Sequence, residues 1–578
     1  MAEMTGAELL VRCLHAERVR FIHAITDGTY MTVMEALERL GGELGIRLIV
    51  PRHEAAGVHA ADAQTRVTGE PAVVMACAGP GAANALSGII CAQAEGSPVV
   101  AITTCRRSEI SDAYRHLGAS QSPDHLTLFR GAVKWNGKVE HWKRIPDMLR
   151  HAFRVAVSGQ PGPTHLLIPE DVLARREDPE SVRIWKREAY RVTERPSAPA
   201  GAVQRAAEIL AGAATVNVHA GNGAQRAGAG PELRALAEHL GAAVTCSIAA
   251  RGVMPEDHEL FFAPLCTASF LAHQKAQAVL AVGTRLGEFA MWGAPPLWGD
   301  PAVQPTVQIE AEPANVGLNR PVDVALVGDA KAVLAQLLEA LKARVPQRAP
   351  GALIAELQGV QAAWRKELDE LVSDPERTPI LTGAIWKVCN DFFPADAIVA
   401  LDGGNTTMWS MNYLVARTQR STLYTANMGY LGTGLPYAIG AKLAAPERVV
   451  YCVTGDSAFG FNIQELETAA RLELPIVVIV AVDGAYGMEK TAQRRVFGRD
   501  APWFHHDLAP VRYDQVAVAM GCHGELVERA SQLRPALERA MASGRPAVIH
   551  AVVDPVANVD PPGMWIWNAA RSGKVALG

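Results

Sequence analysis

The stretch VVYCVTGDSAFGFNIQELETAARLELPIVVIVAVDGAYGME, from Val449 to Glu489, decides how the rest of the chain is read. Two β-branched apolar runs, Val449–Thr454 and Pro475–Val482, read as buried strands, with a helix expected between them from Asn462. The first run ends in Gly455-Asp456-Ser457 and the second in Asp483-Gly484-Ala485. Strands joined through a helix lie parallel with a right-handed crossover, so both aspartates are expected at the carboxyl edge of one sheet, where α/β proteins bind ligands. Two hard carboxylates beside a glycine turn that presents backbone N–H groups suit a Mg2+ ion bridging to a diphosphate. The competing reading makes Asp456 a helix cap and Asp483 a turn residue.

The same alternation extends outward. Leu48–Val50, Ala72–Cys77, Val99–Thr104 and Thr164–Ile168 read as strands, as do Val216–His219, Ala242–Cys246, Ala278–Val282 and Thr306–Ile309, and finally Ala397–Leu401 and Ala547–Val553. Alternation of strands with amphipathic helices implies parallel α/β sheets. Two proline-bearing stretches break it: Arg175–Pro199, and Pro346–Pro379 with a helical middle at Ile354–Leu371. The expectation is therefore three consecutive parallel-sheet α/β domains, 1–174, 200–345 and 375–556, followed by a tail at 557–578.

With 578 residues, 49% hydrophobic and 20% charged, the chain has material for several cores and no mark of disorder. No apolar run reaches the ~20 residues of a membrane span and the amino terminus lacks a secretory pattern, so no membrane association is expected and the reading is cytoplasmic. Nine dispersed cysteines without a C-x-x-C pair oppose a disulfide frame or zinc ribbon. A formal charge of −5 gives no electrostatic reason to expect nucleic acid.

Gly455-Asp456-Ser457 followed by Asp483 and Ala485 resembles the thiamin-diphosphate signature, which starts Gly-Asp-Gly and usually ends with asparagine. The resemblance implies that Asp456, Asp483 and the carbonyl of Ala485 hold Mg2+, with Gly455, Ser457 and Ala458 beside the cofactor. Here Ser457 replaces the second glycine, and Asp483 replaces the asparagine, adding negative charge beside a diphosphate. Arg52-His53-Glu54-Ala55-Ala56 is a second match. In the family the glutamate at the position of Glu54 hydrogen-bonds the pyrimidine N1′ and promotes the imino tautomer. A buried carboxyl shares a proton with a ring nitrogen better than a solvated one; taken alone, a glutamate there is a helix-start residue meeting the dipole. Asn427–Pro436 resembles the loop that bends the cofactor, implying that the Gly429 carbonyl accepts from the 4′-amino group and Leu431 wedges between the rings. Gly404-Asn405-Thr406 resembles a diphosphate-side loop. Gly79–Asn84 and the region of Gln121 fit a first-domain loop and a substrate-side glutamine. The order is then pyrimidine-binding, middle Rossmann-like and diphosphate-binding domain, with sites shared between subunits of a homodimer or homotetramer. Gly221-Asn222-Gly223, with Glu310 and Glu312 further on, leaves ADP or CoA as middle-domain ligands.

Substrate choice is read from Tyr486-Gly487-Met488-Glu489, which the resemblance places at the reacting end of the cofactor. Glu489 disfavours a substrate with its own carboxylate, since like charges ~4 Å apart repel by about 4 kcal/mol at an effective dielectric of ~20. A base there suits a C–C lyase, which must take a hydroxyl proton as the bond breaks. This resembles 2-hydroxyacyl-CoA lyases, relatives of oxalyl-CoA decarboxylase, releasing formyl-CoA and an aldehyde or ketone from an acyl-CoA substrate. In the tail, Trp565 and Trp567 suit packing over a thioester or adenine, and Arg571 or Lys574 suit phosphates, as a lid. The competing reading pairs Glu489 with Lys490, Arg494 or Arg495. The alternative enzymes are a 2-oxo acid decarboxylase or an acetolactate-synthase-like carboligase. From another class, Ser457, Asp483 and the Thr26-Asp27-Gly28-Thr29 loop fit an inactive cofactor-binding regulatory or scaffold protein.

Overall fold

A computed structural model describes residues 3–110, 119–498, 500–502 and 504–563. The described residues fall into two compact units: Met1–Glu194 with Asn427–Pro446 and Asn462–Leu474, and Arg195–Ala426 with Glu447–Phe461 and Pro475–Gly578. The first unit holds one six-stranded parallel sheet, in spatial order Arg47–Ile49, Phe21–Ala24, Ala72–Ala76, Val99–Cys105, Thr164–Pro169 and Trp135–Lys138. The second holds two parallel sheets. One runs Ala243–Cys246, Val216–Ala220, Ala278–Val282, Thr306–Glu310, Val324–Val327. The other runs Thr422–Leu423, Ile398–Leu401, Val450–Gly455, Ile476–Val482, Ala547–Val552, His523–Val527. The three α/β sheets expected from the sequence are present.

Both six-stranded sheets share one chain order, 2-1-3-4-6-5, and the middle sheet runs 2-1-3-4-5. Each therefore reverses direction between its first and third strands, which opens a crevice beyond their carboxyl ends. The central strands are covered on both faces: Val477, Ile479 and Ala481 enter the core that holds Trp386 and Trp409, and the intervening Val478 and Val480 are fully buried opposite. That is why they read as unbroken apolar runs.

Several expectations need correction. No helix starts at Asn462; a single turn, Asp456–Phe459, begins directly at the strand end, and the next helix is Glu465–Arg471. Asn462 is used otherwise, its side-chain amide donating to the Gly432 carbonyl at 2.7 Å. Gly404-Asn405-Thr406 is not a loop but the first turn of the Gly404–Tyr413 helix. The stretch from Arg175 is not wholly a linker, since Arg176–Glu177 pairs antiparallel with Met4–Thr5. The strands Phe21–Ala24, Trp135–Lys138, Val324–Val327, Thr422–Leu423 and His523–Val527 were not anticipated. Eight of the nine cysteines are buried and Cys77 is half-buried. Among the described residues no helix is long and apolar enough to cross a membrane.

Candidate active site

In the second unit the crevice lies between Ile398–Leu401 and Val450–Gly455. Gly403 turns there with φ 82°, and a Cβ on it would stand 3.2 Å from the Gly455 nitrogen. A side chain on Gly404 would collide with Met488 Cβ at 2.6 Å. The close approach sets the amino ends of two helices, Gly404–Tyr413 and Gly487–Phe497, side by side. Their first-turn N–H groups have no intrahelical partners, and the aligned peptide dipoles favour an anion at this point.

Asp456 and Asp483 leave adjacent parallel strands in which Gly455 stands opposite Ala481. Asp456 is 2% exposed and accepts from the Ser457 and Gly484 amides, each at 2.8 Å. Asp483 accepts from Asn558 Nδ2 at 2.7 Å and from the Ala485 amide at 3.2 Å. The two carboxyl groups are close enough that the charge of Asp483 disfavours ionisation of Asp456. Burial, and then the neighbouring charge of Asp483, push Asp456 up to about 7. Burial also raises Asp483, against the hydrogen bond from Asn558.

These residues fit a magnesium diphosphate. A Cβ on Gly487 would stand 2.6 Å from Asp483 Oδ2 and 3.0 Å from Asn405 Nδ2, so the bare Cα leaves a cradle lined by both. Asn405 Nδ2 is buried without a partner, a donor facing nothing that accepts from it. Among the described residues no group of three or more His, Cys, Asp or Glu side chains can hold a metal alone. A cation at Asp456 and Asp483 must therefore draw on further oxygens, such as the Ala485 carbonyl and a diphosphate, as Mg2+ commonly does. Tyr486 and Met488 are half-buried, whereas Glu489 is exposed in the first turn of its helix. Lys490 is taken by Asp507 at 2.7 Å and Arg494 by Asp560 at 2.9 Å. Among the described residues no ion pair forms at the Glu489 carboxylate.

In the first unit Glu54 opens the helix Glu54–Thr68, whose cap is His53 Nδ1 accepting from the Ala55 amide at 3.2 Å. Glu54 is half-buried, and Asn84 Nδ2 donates to its Oε2 at 3.0 Å. Gly81 makes room: a Cβ there would stand 2.6 Å from Cys77 Sγ and 3.1 Å from Glu54 Oε1. Burial pushes the Cys77 thiol up, and the nearby Asp27 carboxylate adds to the effect. Gln121, at φ 58°, backs onto Gly79 and accepts from Arg106 Nη2 at 3.0 Å. Gly429 has φ 61° with open space where a side chain would lie, and Leu431 is half-buried. Two acidic residues not singled out from the sequence serve these segments. Glu465 accepts from the Arg52 amide, and Glu95 from the backbone and side chain of Asn427.

At the middle sheet's crevice Gly221 and Gly223 meet the backbone of Gly283, a Cβ on Gly221 falling 2.3 Å from its carbonyl oxygen. Close packing alone accounts for these glycines. Glu310 accepts from the Ala311 and Glu312 amides, and burial raises its pKa. Trp565, Trp567, Arg571 and Lys574 lie outside the described residues.

Comparison with known proteins matches three family models in chain order. They are the N-terminal TPP binding domain of thiamine pyrophosphate enzymes over residues 4–128, their central domain over 203–337 and their C-terminal TPP binding domain over 402–551. Among similar proteins is a probable acetolactate synthase large subunit of Methanocaldococcus jannaschii, 29% identical, covering 99% of this chain and 96% of that protein. The acetolactate synthase isozyme 3 large subunit of Escherichia coli is 30% identical over 94% of this chain and 93% of its own length. A sulfoacetaldehyde acetyltransferase of Alcaligenes xylosoxydans xylosoxydans is 31% identical over 95% and 92%.

Proposed function

The chain belongs to the thiamine pyrophosphate enzyme family, and from that premise we propose that it is a C–C lyase that cleaves a 2-hydroxyacyl-CoA reversibly to formyl-CoA and an aldehyde or ketone. The observation that carries the reading is Glu489: an exposed carboxylate, unpaired among the described residues, one helical turn from the Asp483–Ala485 metal loop. A carboxylate without a cation is a competent proton acceptor and a poor neighbour for a substrate carboxylate.

Bound thiamin diphosphate supplies a nucleophilic carbon and a sink for the electron pair left when the C–C bond breaks. Asp456, Asp483 and the Ala485 carbonyl would hold Mg2+. The first-turn amides at Gly404, Asn405 and Thr406, with Gly455, Ser457 and Ala458, would hold the diphosphate. Glu54 would hydrogen-bond the pyrimidine ring and hold its proton, the Gly429 carbonyl would accept from the ring's amino group, and Leu431 would pack against the cofactor. Tyr486, Gly487 and Met488 border the reacting end, and Gln121 the substrate side. Glu489 takes the 2-hydroxyl proton as that carbon becomes the carbonyl of the departing aldehyde or ketone, and a proton returns to the thioester carbon before formyl-CoA leaves. The family supports a homodimer or homotetramer that completes each site between subunits.

A second reading, an acetolactate-synthase-like carboligase or 2-oxo acid decarboxylase, is favoured by the names of the similar proteins. Purified protein with Mg2+ and cofactor is given either a 2-hydroxyacyl-CoA or pyruvate. Thioester-dependent release of a carbonyl product supports the lyase; rapid CO2 release from pyruvate with no thioester cleavage overturns it. Glu489→Gln is expected to lower lyase turnover by about 100-fold with cofactor affinity nearly unchanged.

A further inference from the structure

Two buried carboxylates that touch no reacting group hold the two turns of the first unit that the proposed function assigns to the cofactor. Glu465 is 1% exposed and lies 413 positions from its partner; its Oε1 and Oε2 accept from the Arg52 amide at 3.0 and 3.2 Å, and Thr468 Oγ1 donates to Oε2 at 2.7 Å. Arg471, on the same short helix, donates to the Val50 carbonyl at 2.6 Å. The turn that delivers Glu54 is thus gripped on both sides by a segment from the last third of the chain. The reverse holds at the other turn. Glu95, 2% exposed at the end of the helix Pro80–Glu95, accepts from the Asn427 amide at 2.7 Å and from Asn427 Nδ2 at 3.1 Å, and Asn427 leads into Gly429 and Leu431.

The helices behind these turns are already fixed. Glu54–Thr68 and Gly434–Ala444 meet so closely that a Cβ on Gly440 would stand 2.0 Å from the Ala60 carbonyl oxygen. Tyr437 donates to Asp62 Oδ2 at 2.7 Å, and Arg66 donates to both Asp62 oxygens at 2.8 and 2.7 Å. The two carboxylates act on the few residues ahead of each helix. The hydrogen bonds named above all end on carboxyl oxygens, and the ionised form accepts at both of them, whereas an amide presents an N–H at one.

We infer that Glu465 and Glu95 are a crossed pair of positioning residues, Glu465 setting the Glu54 turn and Glu95 setting the Gly429–Leu431 turn. The inference rests on the proposed roles of Glu54 and Gly429. Because a displacement of about 1 Å can cost on the order of 100-fold in rate, each has its own signature. Glu465→Gln is expected to slow deuterium exchange at C2 of bound thiamin diphosphate by about 10- to 100-fold and to lower kcat with KM unchanged, while Mg2+-dependent cofactor affinity stays within about threefold. Glu95→Gln is expected to weaken cofactor affinity by about 10-fold or more while exchange at saturating cofactor stays near the wild-type rate. Glu465→Asp keeps both acceptor oxygens and is expected to recover part of the exchange rate, which a general loss of folding does not predict.

The readouts are C2 exchange by NMR, cofactor titration and steady-state kinetics on the full-length holoenzyme. The inference is overturned if wild type accelerates exchange and Glu465→Gln matches it. It is equally overturned if both variants lose affinity and exchange in parallel with thermal stability, with no recovery in Glu465→Asp. Failure of the wild type to accelerate exchange removes the proposed function itself, a distinct result.

Discussion

Replacing Glu465 by Gln is expected to change stability in a way that depends on pH. Glu465 is 1% exposed, and burial raises its carboxyl from the ordinary 4.5 to about 7, against the hydrogen bonds from Thr468 and the Arg52 amide. Between those two values the folded chain binds a proton that the unfolded chain has released, so stability falls as pH rises. The contribution is fully present below pH 4.5, is lost as pH rises through about 7, and amounts to about 3 kcal/mol over that window. Glutamine carries no charge at any pH and makes no such contribution; its misplaced N–H adds an offset that is independent of pH. The stability of Glu465→Gln relative to wild type should therefore improve by about 3 kcal/mol from pH 4.5 to 8, even as the variant turns over more slowly. Urea unfolding of both apoproteins across this range, followed by far-UV circular dichroism, measures the gap. A gap that stays flat with pH refutes the burial argument for Glu465.

Three further outcomes follow from the second unit. In its proposed role as a Mg2+ ligand Asp456 must be ionised, and burial and then Asp483 hold it up to about 7, so wild-type cofactor affinity should fall as pH drops through 7. Asp483→Asn removes the second cause, and its Mg2+-dependent binding should persist to lower pH; coincident pH midpoints in cofactor titrations would contradict this. Gly487→Ala places a methyl 2.6 Å from Asp483 Oδ2 in the cradle, and calorimetry should show cofactor affinity reduced by about 10-fold or more at little cost in thermal stability. Arg251 and Glu256 form a fully buried ion pair, and Arg251 also donates to the Ser410 carbonyl at 2.9 Å. Arg251→Met leaves Glu256 buried and unpaired and should cost about 3–5 kcal/mol in denaturant unfolding; a loss under 1 kcal/mol would mean that water reaches Glu256.

The parts of the fold legible in the sequence are those buried from both sides. Ala278–Val282 and Ile476–Val482 lie at sheet centres, where every side chain meets apolar neighbours, and their runs match the strands to within one residue. Of the five unanticipated strands in the parallel sheets, four, Trp135–Lys138, Val324–Val327, Thr422–Leu423 and His523–Val527, are edge strands, where one flank lacks a neighbouring strand and polar residues are tolerated. The fifth, Phe21–Ala24, is interior but interrupted by His23, which burial pushes down to about 4 and whose Nε2 lies 3.1 Å from Gln64 Oε1 in a hydrogen bond. A polar residue with a private partner hides a core strand from any reading of hydrophobic period.

The site divides along the same physical line. Asp456 and Asp483 were legible because parallel pairing of two recognisable strands forces them to one edge. Glu465 and Glu95 were not: in sequence each is an ordinary helix-end acid, and the amides they accept from lie hundreds of residues away. Asn558, which orients Asp483, sits beyond the last strand with no local pattern to mark it.

Deuterium exchange at C2 of thiamin diphosphate, measured with Mg2+ on wild-type protein and on Glu54→Gln, tests the account at its centre. Wild type should exchange this proton faster than free cofactor by several orders of magnitude, and Glu54→Gln should return most of that acceleration while still binding the cofactor. Exchange at the free-cofactor rate in wild type, or equal acceleration in Glu54→Gln, would contradict it.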